Sequence, residues 1–183
     1  NLILTKYHGL KTVFETAEFE NLTPLIQRMR LIKSADEVQK MMVAGVYADK
    51  SVKVGFDNIS LDNTETDIIA QIDFAMKREG YEMSFDTMVL TGDNAANPHG
   101  IPGANKVEKD ALLLFDLGVM VNGYASDMTR TVAVGKPDQF KKDIYNLTLE
   151  AQQAALDFIK PGVTAHEVDR AAREVIEKAG YGE

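Results

Sequence analysis

Residues 111–134, ALLLFDLGVMVNGYASDMTRTVAV, place Asn122-Gly123 between two runs rich in apolar and β-branched side chains. That dipeptide accepts the two positive φ values of a tight two-residue turn, so the runs read as antiparallel strands, 111–121 and 124–134. The turn sets the register. Val121 faces Tyr124, Asp127 lies opposite Gly118, and Asp116 lies opposite Thr129. Side chains alternate between faces with period 2, so Asp116 and Gly118 share a face. Asp127 is then a diagonal neighbour of Asp116 on that face, roughly 7–8 Å away at the backbone.

Asp116 sits inside an apolar run, where a carboxylate is expensive to bury. Two like charges converging on a half-buried point repel unless a proton or cation lies between them. A divalent metal, or a pair of metals, would keep both ionised. The alternative is that each Asp caps a backbone amide or pairs with Arg130. Arg130 falls on the opposite face from Asp127 by strand alternation, which weighs against that pairing. His99, in Asn97-Pro98-His99-Gly100, is a third candidate, able to donate to a substrate carbonyl or a developing oxyanion. Taken alone it reads better as an ordinary surface histidine. His166 sits in a helix start and should be exposed, and His8 has no context.

The rest of the chain supplies helices and one further strand. Residues 1–20 read as a short strand, LILT (2–5), and a polar connection. Residues 21–30 read as a helix, with Thr23 before Pro24 as its start. Ser34 and Glu37 have capping-box spacing, ahead of an apolar face Val38, Met41, Gly45, Ala48 and Val52. A second capping box, Thr64 and Asp67, opens a helix with Ile68, Ile69, Ile72, Ala75 and Met76 that stops at Gly80. Met41, Met42 and Met76 are at helical spacing and are expected in the core. Residues 84–91 read as a strand. The following loop, 92–105, is rich in Gly, Asn and Pro, and loops of this length are usually functional or disordered. A helix is expected over 138–159, with Phe140, Ile144, Leu147, Ala151, Ala154 and Phe158 on one face. The last helix opens with the capping box Thr164 and Glu167 and closes at Gly180. The order of elements predicts an α+β fold, helices packed on an antiparallel sheet.

Composition narrows the function classes. Twenty basic against 28 acidic residues give a net charge of −8, which argues against a nucleic-acid backbone as partner. No apolar run reaches the length of a membrane span, and the start does not read as a signal peptide. The chain has no cysteine, so any metal must be held by oxygen and imidazole, and a cytoplasmic location fits. With no initiator Met, the visible start is not expected to be the biological start.

Three segments resemble the pita-bread metallopeptidases: Arg30-Leu-Ile-Lys33-Ser34-x-x-Glu37, GDNAANPH at 92–99, and FDLGVMVNGYASDMTRT with its Asp, ten residues, Asp, Met-Thr-Arg-Thr. The resemblance runs from about residue 20 to the end. It implies that Asp116 and Asp127 ligate a dinuclear centre and that His99 faces the substrate and stabilises the tetrahedral intermediate. It implies two divalent ions, with Mn²⁺ suiting an oxygen-rich set and Co²⁺, Fe²⁺ or Zn²⁺ as alternatives. Within the family the chain looks most like bacterial Xaa-Pro dipeptidases (prolidases). The expected reaction is hydrolysis of the Xaa-Pro bond in a proline-containing dipeptide by a metal-activated water, in a homodimer. The alternatives are an aminopeptidase P acting on longer peptides and a non-catalytic binding protein of the same fold. The family completes its site with a His and two Glu from the second half of the fold, and none is found here. The expectation is therefore a partial pita-bread fold. Residues 1–29 would be the tail of an N-terminal domain and linker. Residues 30–183 would be the N-terminal half of the catalytic domain, inactive by itself.

Overall fold

The structure, a computed structural model, describes residues 3–182. Two compact units are present, Asn1–Gln39 and Lys40–Glu183. In the first, helix α1 (Leu4–Val13) occupies the segment expected to begin as a strand; Leu2 of that expected strand lies outside the described residues. A strand needs a neighbour for its backbone groups, and the described residues of this unit contain none. A helix satisfies those groups internally, as Tyr7 N does by donating to Ile3 O at 3.0 Å. Helix α2 (Thr23–Leu31) has Pro24 in its first turn as expected, but the capping position is Leu22 and Thr23 is already helical. The Thr23 amide donates instead to Asn21 Oδ1 at 3.0 Å. The Ser34–Glu37 capping box forms: Ser34 N donates to Glu37 Oε2 at 2.6 Å and Glu37 N to Ser34 Oγ at 3.3 Å.

That box opens α3 (Ala35–Asp57), most of which belongs to the second unit. There follow α4 (Glu65–Arg78), β1 (Glu82–Met83), β2 (Met88–Thr91), β3 (Ala111–Leu117), β4 (Val119–Val121), β5 (Tyr124–Ala125), β6 (Met128–Val134), α5 (Gln139–Phe158) and α6 (Ala165–Lys178). The strands form two antiparallel three-stranded sheets, β1-β4-β5 and β2-β3-β6. Asn122 (φ 50°) and Gly123 (φ 82°) make the expected turn, and the register follows: Val121 faces Tyr124, Leu117 faces Met128, Asp116 faces Thr129.

One continuous hairpin was expected, and the structure instead divides it between the two sheets at Gly118. The cause is a crossing at Ser84 and Ser126. Ser84 Oγ donates to Ser126 O at 2.8 Å, Ser84 N donates to Gly118 O at 2.8 Å, and Val119 N donates to Ser126 Oγ at 2.9 Å. A Cβ on residue 118 would run into the Ser126 carbonyl and the Ser84 hydroxyl. Of the expected strand 84–91 only 88–91 forms, as β2; residues 84–87 turn between it and β1, which precedes the expected range.

Helices α3 and α4 cross both sheets. Ala48 and Val52 of α3 and Ile68 and Ile72 of α4 pack with Val89, Leu113, Phe115 and Leu117 of the β2-β3-β6 sheet. Ala44 and Met76, at the other ends of their buried stripes, pack with Val119 and Val121 of β4. Gly55 admits Phe115, whose Cε1 lies 2.7 Å from where a Cβ would stand. Several sequence expectations overreach here. Val38, Met41, Met42, Phe140 and Phe158 are exposed. Apolar spacing marks a helix face, but only the length of that face opposite a sheet or another helix is covered. Of α5, the buried residue is Ala151; α5 and α6 pack against each other. His166 is exposed, as expected. No helix among the described residues is long and apolar enough to cross a membrane.

Candidate functional site

Asp116 lies on β3, the central strand of its sheet, between Met88 of β2 and Thr129 of β6. Its chain neighbours Phe115 and Leu117 are fully buried against the helices, so Asp116 points to the other face, half-buried between flanking strands. It accepts a hydrogen bond from Thr129 Oγ1 at 3.1 Å. Burial raises its pKa above the ordinary carboxylate value, the Thr129 hydroxyl opposes that, and the Asp127 charge raises it further. The structure therefore brings Asp116 and Asp127 within electrostatic reach of each other, as the register predicts. Asp127 is exposed, in the two-residue gap between β5 and β6. Arg130 does not neutralise either of them: its Nη1 donates to the Thr129 carbonyl at 2.8 Å.

His99 lies on the loop between β2 and β3 and is exposed. Its backbone amide donates to Asn97 Oδ1 at 3.1 Å. No hydrogen bond or ion pair joins its ring to Asp116 or Asp127 among the described residues. The loop opens with a 3-10 turn, Gly92–Ala96, and its far end hydrogen-bonds to the start of α4.

A metal requires donors of suitable chemistry. Asp116, on β3, and Asp127, in the gap before β6, offer an all-oxygen set. Burial is the main cause of the raised Asp116 pKa and the Asp127 charge adds to it; a cation beside the pair would favour the ionised form. That set suits a hard or borderline divalent ion. It is an incomplete set: no cluster of three or more His, Asp or Glu side chains placed to hold a metal occurs among the described residues. The residues present fit one side of a metal centre.

The sequence reading missed Glu65. It is the first residue of α4, beside the capping pair Thr64 and Asp67, and it is completely buried. Glu65 Oε1 accepts from Thr91 N at 2.9 Å and Asn94 Nδ2 at 3.0 Å. Glu65 Oε2 accepts from Gly103 N at 2.8 Å, Asn105 Nδ2 at 3.1 Å and Asn94 Nδ2 at 3.2 Å. All these partners come from the two ends of the loop that carries His99. An acid in the first turn of a helix is ordinarily a surface residue facing the helix dipole, so no local signal marks it.

The Xaa-Pro dipeptidase of Lactobacillus helveticus is 47% identical over 186 residues, covering 100% of this chain and 50% of the relative. The prolidase of Pyrococcus horikoshii superposes with a TM-score of 0.95 at 36% identity, covering 100% of this chain and 53% of that one. The Xaa-Pro dipeptidase of Bacillus anthracis superposes with a TM-score of 0.94 at 34% identity, covering 100% and 51%. The chain thus spans about half the length of the curated relatives it matches, and its mixed helix and antiparallel-sheet architecture is that of the N-terminal half of the prolidase fold. The profile of metallopeptidase family M24 matches residues 32–183, and with that match over most of its length the chain belongs to this family.

Proposed function

We propose that this chain contributes one half of the active site of a Xaa-Pro dipeptidase. The observation that carries the proposal is the pair Asp116 and Asp127, Asp116 opposite Thr129 on β6 and within electrostatic reach of Asp127, in a chain 47% identical to a Xaa-Pro dipeptidase. In this reading residues 1–29 are the tail of an N-terminal domain and its linker, and 30–183 are the N-terminal half of the catalytic domain.

Asp116 and Asp127 would hold two divalent ions, with Mn²⁺ favoured by the oxygen donors. When bound, such ions supply an activated water and polarise the scissile carbonyl. The chain's own residues then have distinct tasks. Thr129 Oγ1 donates to Asp116 Oδ1 and so orients that carboxylate, as outer partners of metal ligands do. His99 donates a hydrogen bond to the substrate carbonyl as it gains negative charge, an interaction that strengthens toward the transition state. The substrate is a dipeptide with proline in second position. The family resemblance supports a homodimer, and the absence of cysteine fits a cytoplasmic location. Two carboxylates are too few ligands for a closed site, so residues 1–183 alone are expected to lack peptidase activity.

The test is Asp116→Asn and Asp127→Asn in the full-length protein, read by metal content and by turnover of a Xaa-Pro dipeptide against a Xaa-Pro-Xaa tripeptide. Loss of metal with a fall in turnover of more than about 100-fold is expected, since even outer partners of metal ligands are worth 10–100-fold. Unchanged metal content and rate in both variants would refute the site. Preference for the tripeptide would move the protein to the aminopeptidases.

A further inference from the structure

The proposed reaction leaves Glu65 without a task. It is the buried acid with the most elaborate set of partners in the described chain, and every one of them is an N–H group of the loop between β2 and β3 or its flanks. Thr91 and Asn94 lie where the loop leaves β2; Gly103 and Asn105 lie where it returns. One carboxylate therefore closes the neck of the loop, with His99 between the two sets of donors. Backbone bonds from the same helix start reinforce the closure: Glu65 N donates to Asn105 O at 3.0 Å and Thr66 N to Gly103 O at 3.3 Å. Inside the neck, Asn94 Nδ2 also reaches Ile101 O at 3.4 Å. Gly100 is buried beside Asn94, whose backbone O lies 3.1 Å from where a Cβ would stand. The residue next to His99 thus lies against Asn94, whose side chain Glu65 holds.

We infer that Glu65 is a positioning residue for catalysis: it fixes the loop 92–105 through its two ends and so holds His99 where the substrate carbonyl arrives. This rests on the reading of His99 given above. A fixed loop matters for rate because a displacement of about 1 Å in a reacting group can cost about 100-fold. A carboxylate suits the position because each oxygen accepts several hydrogen bonds and donates none. The Glu65→Gln variant keeps the shape but turns an NH₂ group toward N–H donors whichever way the amide is set.

The experiment compares Glu65→Gln, His99→Ala and the double variant in the full-length protein, by kcat and KM on a Xaa-Pro dipeptide, by metal content, and by amide hydrogen exchange. For Glu65→Gln we expect faster exchange confined to residues 91–105, unchanged metal content, and a fall in kcat of about 10–100-fold with KM little changed. The double variant should be no slower than His99→Ala alone, because Glu65 acts through His99. Should Glu65→Gln fail to fold, Asn105→Ala removes one donor from the exposed side of the neck and should show the same pattern more weakly. Loop exchange unchanged in the variant that folds, or a double variant slower than His99→Ala by the full Glu65→Gln factor, would overturn the inference. A wild-type kcat in His99→Ala would instead sink the reading of His99, and loop exchange would still decide whether Glu65 closes the neck.

Discussion

Two carboxylate sites in this molecule are built on opposite principles. At the neck of the loop, Glu65 is wholly buried and every oxygen is taken by N–H donors of the protein. At the hairpin, Asp116 is half-buried, accepts one hydrogen bond from Thr129, and has a second carboxylate as its electrostatic neighbour. A saturated carboxylate is an architectural fixture, because any further ligand would have to displace bonds already made. A pair of carboxylates with like charge and little internal compensation is suited to a cation. Burial alone does not separate the two roles; the identity of the compensating groups does.

The sharpest break of this comparison is truncation of Glu65. In Glu65→Ala the buried amide of Thr91 and the part-buried amide of Gly103 lose their acceptor, at roughly 1–3 kcal/mol each. The expected loss is about 2–6 kcal/mol in a urea unfolding experiment. A loss below about 1 kcal/mol would mean that water replaces the carboxylate and that the neck is not a fixture. At the hairpin the corresponding change should touch metal and leave the fold. Thr129→Val removes the hydroxyl that orients Asp116 and is expected to weaken divalent-metal affinity about 10–100-fold, by titration calorimetry, with an unchanged unfolding midpoint. Equal affinity would show that Asp116 needs no orienting partner.

The smallest effect is also the one of opposite sign. Burial and the Asp127 charge raise the Asp116 pKa in the folded chain above its ordinary value of 3.8, against the Thr129 hydroxyl. The folded state then binds that proton more tightly than the unfolded state. Stability accordingly falls as the pH rises from the ordinary value through the raised one, and the deficit persists at neutral pH. Metal-free Asp116→Asn protein should therefore unfold at slightly higher urea than the parent at pH 7, with the difference vanishing below about pH 3.8. A less stable variant at pH 7 would show that Asp116 is compensated as Glu65 is.

The fold was legible where the controlling forces are local. Capping boxes at Ser34, Thr64 and Thr164 form as their spacing predicts. The Asn122-Gly123 turn fixes a register that runs unbroken in numbering from Val121–Tyr124 out to Ala111–Val134. Helix α1 was not legible, because a short apolar run reads equally as strand or helix until the presence of a neighbouring strand is known. The exposed positions Met41 and Phe140 were misread for a related reason: periodicity gives the face but not how far the opposing surface extends.

By itself the sequence determined that Val121 faces Tyr124 and Asp116 faces Thr129, because a two-residue turn fixes the register of the strands it joins. Only the tertiary structure decided that Asp116 is flanked on both sides, by Met88 as well as Thr129, and that the hairpin divides between two sheets where Ser84 crosses Gly118. It alone buried Glu65, whose partners lie 26 to 40 residues away along the chain. Spacing within one element reports angles about that element. What covers a residue is set by segments that return from far along the chain, and their donors are visible only once the loop has closed over it.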